Sequence, residues 1–243
     1  MSARSAYARR PGLVWGALRS LEDWLLEPES DASMPEPAAA APDPQRVVVA
    51  VAGVRSGCGV STVARALAAR LAIADPDGAA VLIATDDQPL PPAIAGRQAS
   101  RLRSSLHAAG IAGRAGGRLC TLRFSEPGRA AELARPHAPV VIDVPHAREA
   151  RAAAAAADLV VIVAPGDAEP ALAQAFAESR AGGPVLVVAN RPRESERWAG
   201  RAAAMLPESR IAARLAGAGW PAGGSFGRAI GEIAEVCGAL ACA

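Results

Sequence analysis

The sequence predicts an α/β fold: a doubly wound, mainly parallel sheet with helices on both faces. Three observations predict it. Short valine-rich runs recur along the chain, as in Val47–Gly53, Pro139–Pro145 and Asp158–Pro165. Alanine- and leucine-rich segments of helical length separate them. The first run also ends in a glycine-rich loop that opens directly into one of those helical segments. Strands that read as near-continuous apolar runs, alternating with helices, are strands buried on both faces of a parallel sheet.

The elements follow in order. Residues 1–27 carry Arg4, Arg9 and Arg10, and then place Leu13, Leu18, Leu21, Trp24 and Leu25 near helical spacing, which predicts a basic, amphipathic N-terminal helix. Residues 28–45 mix proline, alanine and acid without periodicity and read as a flexible linker. The domain proper is assigned to 46–243. It opens with a strand at 47–53, the glycine-rich loop, a helix to about Ala74 and a second buried strand at 79–85. A helix around 100–109, a strand at 119–124 and a helix near 128–134 are expected next. The pattern then gives a strand at 139–145, an alanine-rich helix, a strand at 158–165, a helix over 168–181, a strand at 184–191 and a closing helix from about Phe226.

Composition narrows the function. The 243-residue chain is 51% hydrophobic but only 3% aromatic, which suits close helix–sheet packing better than an aromatic ligand cage. Its formal charge is +2 with both signs interspersed, so net charge does not indicate a nucleic-acid partner. There is no lysine; all 26 basic residues are arginine, and lysine-dependent chemistry is excluded. Cys58, Cys120, Cys237 and Cys242 have no metal-ligand spacing, and no secretory signal or membrane-spanning run is visible, so a cytoplasmic location is expected. His107, His137 and His146 fall in separate segments and form no site.

The chemistry concentrates in Gly53-Val54-Arg55-Ser56-Gly57-Cys58-Gly59-Val60-Ser61-Thr62. Glycines between a buried strand and a helix let successive backbone N–H groups converge on an anion, and the helix N-terminus adds partial positive charge. A phosphate is therefore expected here, with one of the Ser61 and Thr62 hydroxyls on Mg²⁺; ordinary N-capping is the other use of those hydroxyls. The segment resembles the deviant Walker A loop, K-G-G-x-G-K-[ST]-[ST], of the ParA/MinD branch of P-loop ATPases. It reads R-S-G-C-G-V-S-T here, so the family's signature lysine falls on Arg55 and its P-loop lysine on Val60.

The resemblance implies a P-loop NTPase fold, ATP and Mg²⁺ as ligands, Ser61 as the metal-binding hydroxyl and a nucleotide-sandwich homodimer that Arg55 could serve. It extends to Val140–Pro145, where Asp143 takes the role of supporting Mg²⁺ through water, although His146 and Ala147 replace the glycine that usually follows. It extends to 81–89, where Asp86 falls on an acid that can position attacking water; a solvated turn is the other reading of Asp86 and Asp87. It also covers Asp158 before one strand and Asn190-Arg191 after another, where the asparagine contacts the base, or else serves a strand-end turn.

Val60 cannot donate to a phosphate, so hydrolysis is expected to be weak or absent. The expected function is a ParA/MinD-like nucleotide-binding protein that positions or helps assemble a partner machine, as the pilus-associated TadZ/CpaE-type relatives do. The alternatives are a pseudo-ATPase scaffold that binds no nucleotide and, as a minor reading, a P-loop kinase or cofactor-synthesis enzyme. The N-terminal helix suggests a docked protein partner ahead of peripheral membrane contact, because Glu22, Asp23 and Glu27 oppose lipid binding; packing on its own domain is the plainer use.

Overall fold

The computed structural model describes residues 46–84, 94–145, 150–180 and 183–241, all within the unit Asp43–Ala243. The expected N-terminal helix and linker, Asp86, Asp87, His146 and Ala147 lie outside the described residues.

The chain enters the fold through Arg46. Its guanidinium pairs with Asp75 at 3.1 Å and donates to the Pro136 carbonyl at 2.7 Å, fixing where the first strand begins. Burial pushes the Asp75 carboxyl above its usual range, outweighing the nearby Arg46 charge. Strand β1 (Val48–Gly53) is buried along its whole length and leads into helix α1 (Val60–Ala74). Strand β2 (Ala80–Ala84), helix α2 (Arg97–Ala108), a short strand β3 (Arg114–Gly116) and strand β4 (Leu119–Arg123) follow. Helix α3 (Pro127–Ala134), strand β5 (Val140–Val144), helix α4 (Ala150–Ala155) and strand β6 (Leu159–Pro165) continue the alternation. The chain closes with α5 (Pro170–Arg180), β7 (Val185–Asn190), α6 (Ser195–Trp198), β8 (Ala204–Leu206), α7 (Arg210–Gly217) and α8 (Gly224–Ala241).

These strands form one eight-stranded sheet in the order β3-β4-β2-β5-β1-β6-β7-β8. All pairings are parallel except β3 against β4. The expected doubly wound sheet is therefore present. Because side chains alternate across a strand, β1 feeds two cores. Val49 and Val51 face α1, α7 and α8 together with Leu82, Val141 and Val161. Val48, Ala50 and Ala52 face α2 to α6 together with Ile83, Ile142 and Ile162. Alanines at helix contact positions, such as Ala68 of α1 and Ala131 of α3, let helix backbones approach the sheet closely.

Four elements lie beyond what the sequence pattern predicts: β3, α6, β8 and α7. Strands β3 and β8 span three residues each and α6 spans four, too short for a periodic pattern to register. Helix α7 does carry a signal, for the Ser209 hydroxyl accepts from the Ala212 amide at 3.2 Å as an N-cap. The helix expected over 168–181 begins at Pro170, and the closing helix begins at Gly224 rather than near Phe226.

Candidate functional site

Strand β1 sits between β5 and β6, and the chain departs from it toward β2 on one side while β6 leads to β7 on the other. The carboxyl end of β1 is thus the topological switch point, where an open parallel sheet leaves a crevice for ligand. The glycine-rich loop spans that point. Gly57 (φ 76°) and Gly59 (φ 96°) both adopt left-handed backbone, which side chains disfavour, and so curl the chain back before α1 starts. A Cβ on Gly53 would lie 2.5 Å from Cys58 Sγ and 2.6 Å from Val60 Cγ2, so the loop folds directly onto the end of β1.

Gly59 is the N-cap of α1 and offers no side-chain cap. The first N–H groups of a helix have no intrahelical partner, so the first-turn amides at Val60, Ser61 and Thr62 present donors and the positive end of the helix dipole. Cys58 turns its side chain inward: it is 1% exposed, and burial pushes its thiol pKa up. Its carbonyl accepts from Asn190 Nδ2 at 2.7 Å, which ties the loop to the end of β7. The contact leaves no room at Gly59, where a Cβ would come within 2.3 Å of the same nitrogen.

Beside the loop, Ser61 Oγ donates to Asp143 Oδ1 at 3.1 Å, and Asp143 is 2% exposed at the end of β5. The structure thus brings together the two residues assigned to a metal. Both offer hard oxygen, the donor type that suits Mg²⁺. No cluster of three or more His, Cys, Asp or Glu able to hold a metal occurs among the described residues. A cation here would therefore need phosphate oxygens and water to complete its shell.

On the other flank, a cleft of about 350 Å³ opens between the loop and α7. Gly57, Gly59, Thr62, Asn190 and Arg191 line it, so the loop and the Asn-Arg pair, far apart in sequence, share one cavity. Its far wall is Pro207–Arg210, which the sequence pattern does not single out, together with Phe226 of α8. Ser209 is the one legible signal there, as a helix cap. Arg191 takes a left-handed conformation (φ 56°) held by its amide donating to the Leu206 carbonyl at 2.7 Å.

Two expected positions behave differently from a phosphate-gripping loop. Val60 is 5% exposed and packs in the core under α1. Arg55 donates from Nη2 to both carboxylate oxygens of Asp167, at 2.7 and 2.8 Å, with both side chains more than half exposed. That hydrogen bond, with the arginine's charge, holds the Asp167 carboxyl below its usual range. Asp158 lies at the opposite edge of the sheet, accepting from the Val48 amide at 2.8 Å and pairing with Arg135 at 3.0 Å, which is a structural duty.

Sheet order, crossovers and loop placement define an α/β P-loop NTPase fold, of ParA/MinD-like form. Solved structures similar to this chain include a ParA family ATPase from Chlorobium tepidum, with TM-score 0.52 and 15% identity over 79% of this chain and 98% of that one. A plasmid partition protein from Borrelia burgdorferi bound to AMPPNP gives TM-score 0.53 and 14% identity over 79% and 98% of the two chains. A Cyanothece McdA–ATP complex gives 0.51 and 15% over 81% and 96%. No family profile and no curated protein matches the chain.

Proposed function

We propose that this chain is a ParA/MinD-type nucleotide-binding protein that holds ATP with Mg²⁺ in a backbone cradle and turns it over weakly or not at all. The observation that carries the reading is the curled loop at the switch point, with two left-handed glycines, an uncapped helix N-terminus and an adjoining cleft. The phosphates lie against Gly57–Thr62, where main-chain donors replace the missing lysines. Ser61, and Asp143 through water, are the residues that would hold a Mg²⁺ bound together with the nucleotide, and the ion would offset phosphate charge there. The base enters the cleft beside Asn190 and Arg191. With one Asn190 N–H committed to the Cys58 carbonyl, the amide oxygen, Oδ1, is the atom proposed to accept from the base amino group.

Val60 supplies no charge to a transition state, which is the physical reason for slow chemistry. Asp86, two positions past the end of β2, is the residue assigned to orienting water in whatever turnover remains. The role proposed for the bound state is positioning or assembly of a partner machine, through a homodimer and a protein partner docked on residues 1–27. AMPPNP and ATP in two of the similar structures, one of them a partition protein, support this reading.

A scaffold that binds no nucleotide is the second reading, favoured by the burial of Val60 and by the engagement of Arg55 with Asp167. Calorimetric titration with ATP and ADP, with and without Mg²⁺, separates the two. Micromolar, Mg²⁺-dependent binding that disappears in Gly59→Glu supports the nucleotide reading. No heat at millimolar ligand leaves the scaffold.

A further inference from the structure

We infer that Arg65 and Arg114 build a site for one small inorganic anion of chloride size, separate from the nucleotide cleft. The inference stands whether or not the chain binds nucleotide. Helix α1 supplies Arg65, one turn beyond Ser61, and the edge strand β3 supplies Arg114. Arg114 pairs in register with Thr121 of β4, which pairs in turn with Leu82 of β2. Register partners share a face of the sheet, and Leu82 packs against α1, so Arg114 and Thr121 belong to the α1 face as well. Both arginines, Thr121 and the end of α7 at residues 216–219 line one cavity of about 30 Å³.

The observation that carries the inference is a charge without a partner. Arg65 Nε is buried and has no hydrogen-bond partner. Neither Arg65 nor Arg114 makes a hydrogen bond or ion pair among the described residues, and no Asp or Glu among them lines the cavity. Burying a guanidinium N–H without an acceptor is costly, and two cations facing one space also repel each other. Arg135 Nε is buried without a partner too, but its guanidinium pairs with Asp158 at 3.0 Å, so that charge is answered and the charge of Arg65 is not.

The main chain around the cavity does not answer it either. At the end of α7 the Ala216 carbonyl accepts from the Gly219 amide at 3.0 Å, and the Gly219 carbonyl accepts from the Arg118 amide at 2.8 Å. A helix end carries roughly half a negative charge, less than two full cations require. An anion that accepts from Arg65, Arg114 and the Thr121 hydroxyl satisfies all three at once. The cavity volume is close to one water's share of the liquid, about 30 Å³, which admits a single small ion. The 350 Å³ cleft beside the glycine-rich loop is the space of nucleotide size. Helices α1 and α7 border both spaces, through Thr62 and Arg210 at the cleft and through Arg65 and Gly217 here, so a bound ion braces the two helices that hold the cleft.

The test is thermal unfolding of the full chain without nucleotide, exchanging gluconate for chloride at constant ionic strength so that screening stays fixed. Chloride should raise the wild-type midpoint saturably, by about 4–7 °C at a concentration about twentyfold above Kd. Chloride NMR should show matching excess line broadening from the bound ion. In Arg65→Gln and in Arg114→Gln, chloride affinity should fall by about tenfold or more, as expected for loss of a charge-assisted contact. A chloride response within about twofold of wild type in both variants overturns the inference, because the ion then binds elsewhere, for instance at the glycine-rich loop. No chloride response in wild type overturns it as well, and leaves water to satisfy Arg65 Nε. Should Arg65→Gln fold poorly, Arg114→Gln on the exposed edge strand decides by line broadening: its loss supports the site, and its retention overturns it.

Discussion

Replacing Asn190 tests whether one side-chain amide locks the glycine-rich loop to the sheet. Asn190 is 7% exposed, and its Nδ2 donates to the Cys58 carbonyl at 2.7 Å. A nitrogen facing a carbonyl oxygen is the only amide orientation that makes a bond, so the donor sense is chemically fixed. Truncation in Asn190→Ala removes the donor and leaves a carbonyl of buried Cys58 short of its partner, a loss of about 1–3 kcal/mol. For a domain of this size that lowers the thermal midpoint by about 3–10 °C. Asn190→Asp is nearly isosteric but sets a carboxylate oxygen against the same carbonyl, so at neutral pH it is expected to be worse than alanine. The sign with pH separates the two. Burial and repulsion raise that aspartate's pKa in the folded state, so the folded form binds a proton more readily than the unfolded one. Asn190→Asp therefore regains stability as pH falls through its raised folded pKa, because the protonated acid can donate, while Asn190→Ala shows no such recovery relative to wild type. Urea denaturation at several pH values measures this. An Asn190→Ala variant within about 0.5 kcal/mol of wild type, or an aspartate variant without acid recovery, would refute the reasoning.

Three further outcomes are expected. Ser61→Ala removes a donor to Asp143 and the hydroxyl assigned to the metal, so ATP affinity should lose its Mg²⁺ dependence in calorimetry while metal-free ADP binding persists; retained Mg²⁺ dependence would take Ser61 out of the metal site. The Asp167 carboxyl, observed by NMR, should titrate below the usual aspartate range and return toward it in Arg55→Ala. Since its folded pKa is lowered, the pair's contribution is present above the unfolded pKa and disappears as pH falls through the folded one. Burial pushes Cys120 to about 11 and Cys237 to about 12, so both thiols should resist alkylation at pH 8 in the native state. Their raised values favour the fold fully below the unfolded thiol pKa, and that contribution should drain away from about pH 9 upward, as denaturation at alkaline pH can check.

Much of the fold is legible in the sequence because the strands are long and apolar on both faces, as in Val140–Val144 and Leu159–Pro165. Glycine spacing between β1 and α1 marks the loop, and only glycine serves at Gly57 and Gly59 without strain. What stays illegible depends on contacts between distant segments. Nothing local announces that Asn190 reaches Cys58, that Asp167 captures Arg55, or that Pro207–Arg210 close the cleft, because loops from opposite ends of the chain meet only once the sheet has formed. Strand β3 has no pattern of its own and exists by pairing with β4.

The most direct test of the cradle is an amide NMR titration of ¹⁵N-labelled protein with Mg²⁺-ATP. Asn190 is the single asparagine of the chain, so selective ¹⁵N-asparagine labelling isolates its side-chain signal. Saturable shifts are expected, centred on the Gly57, Gly59, Val60, Ser61 and Thr62 amides and on the Asn190 side chain. Shifts confined to other surfaces, or none at millimolar ligand, would contradict a backbone cradle for phosphate.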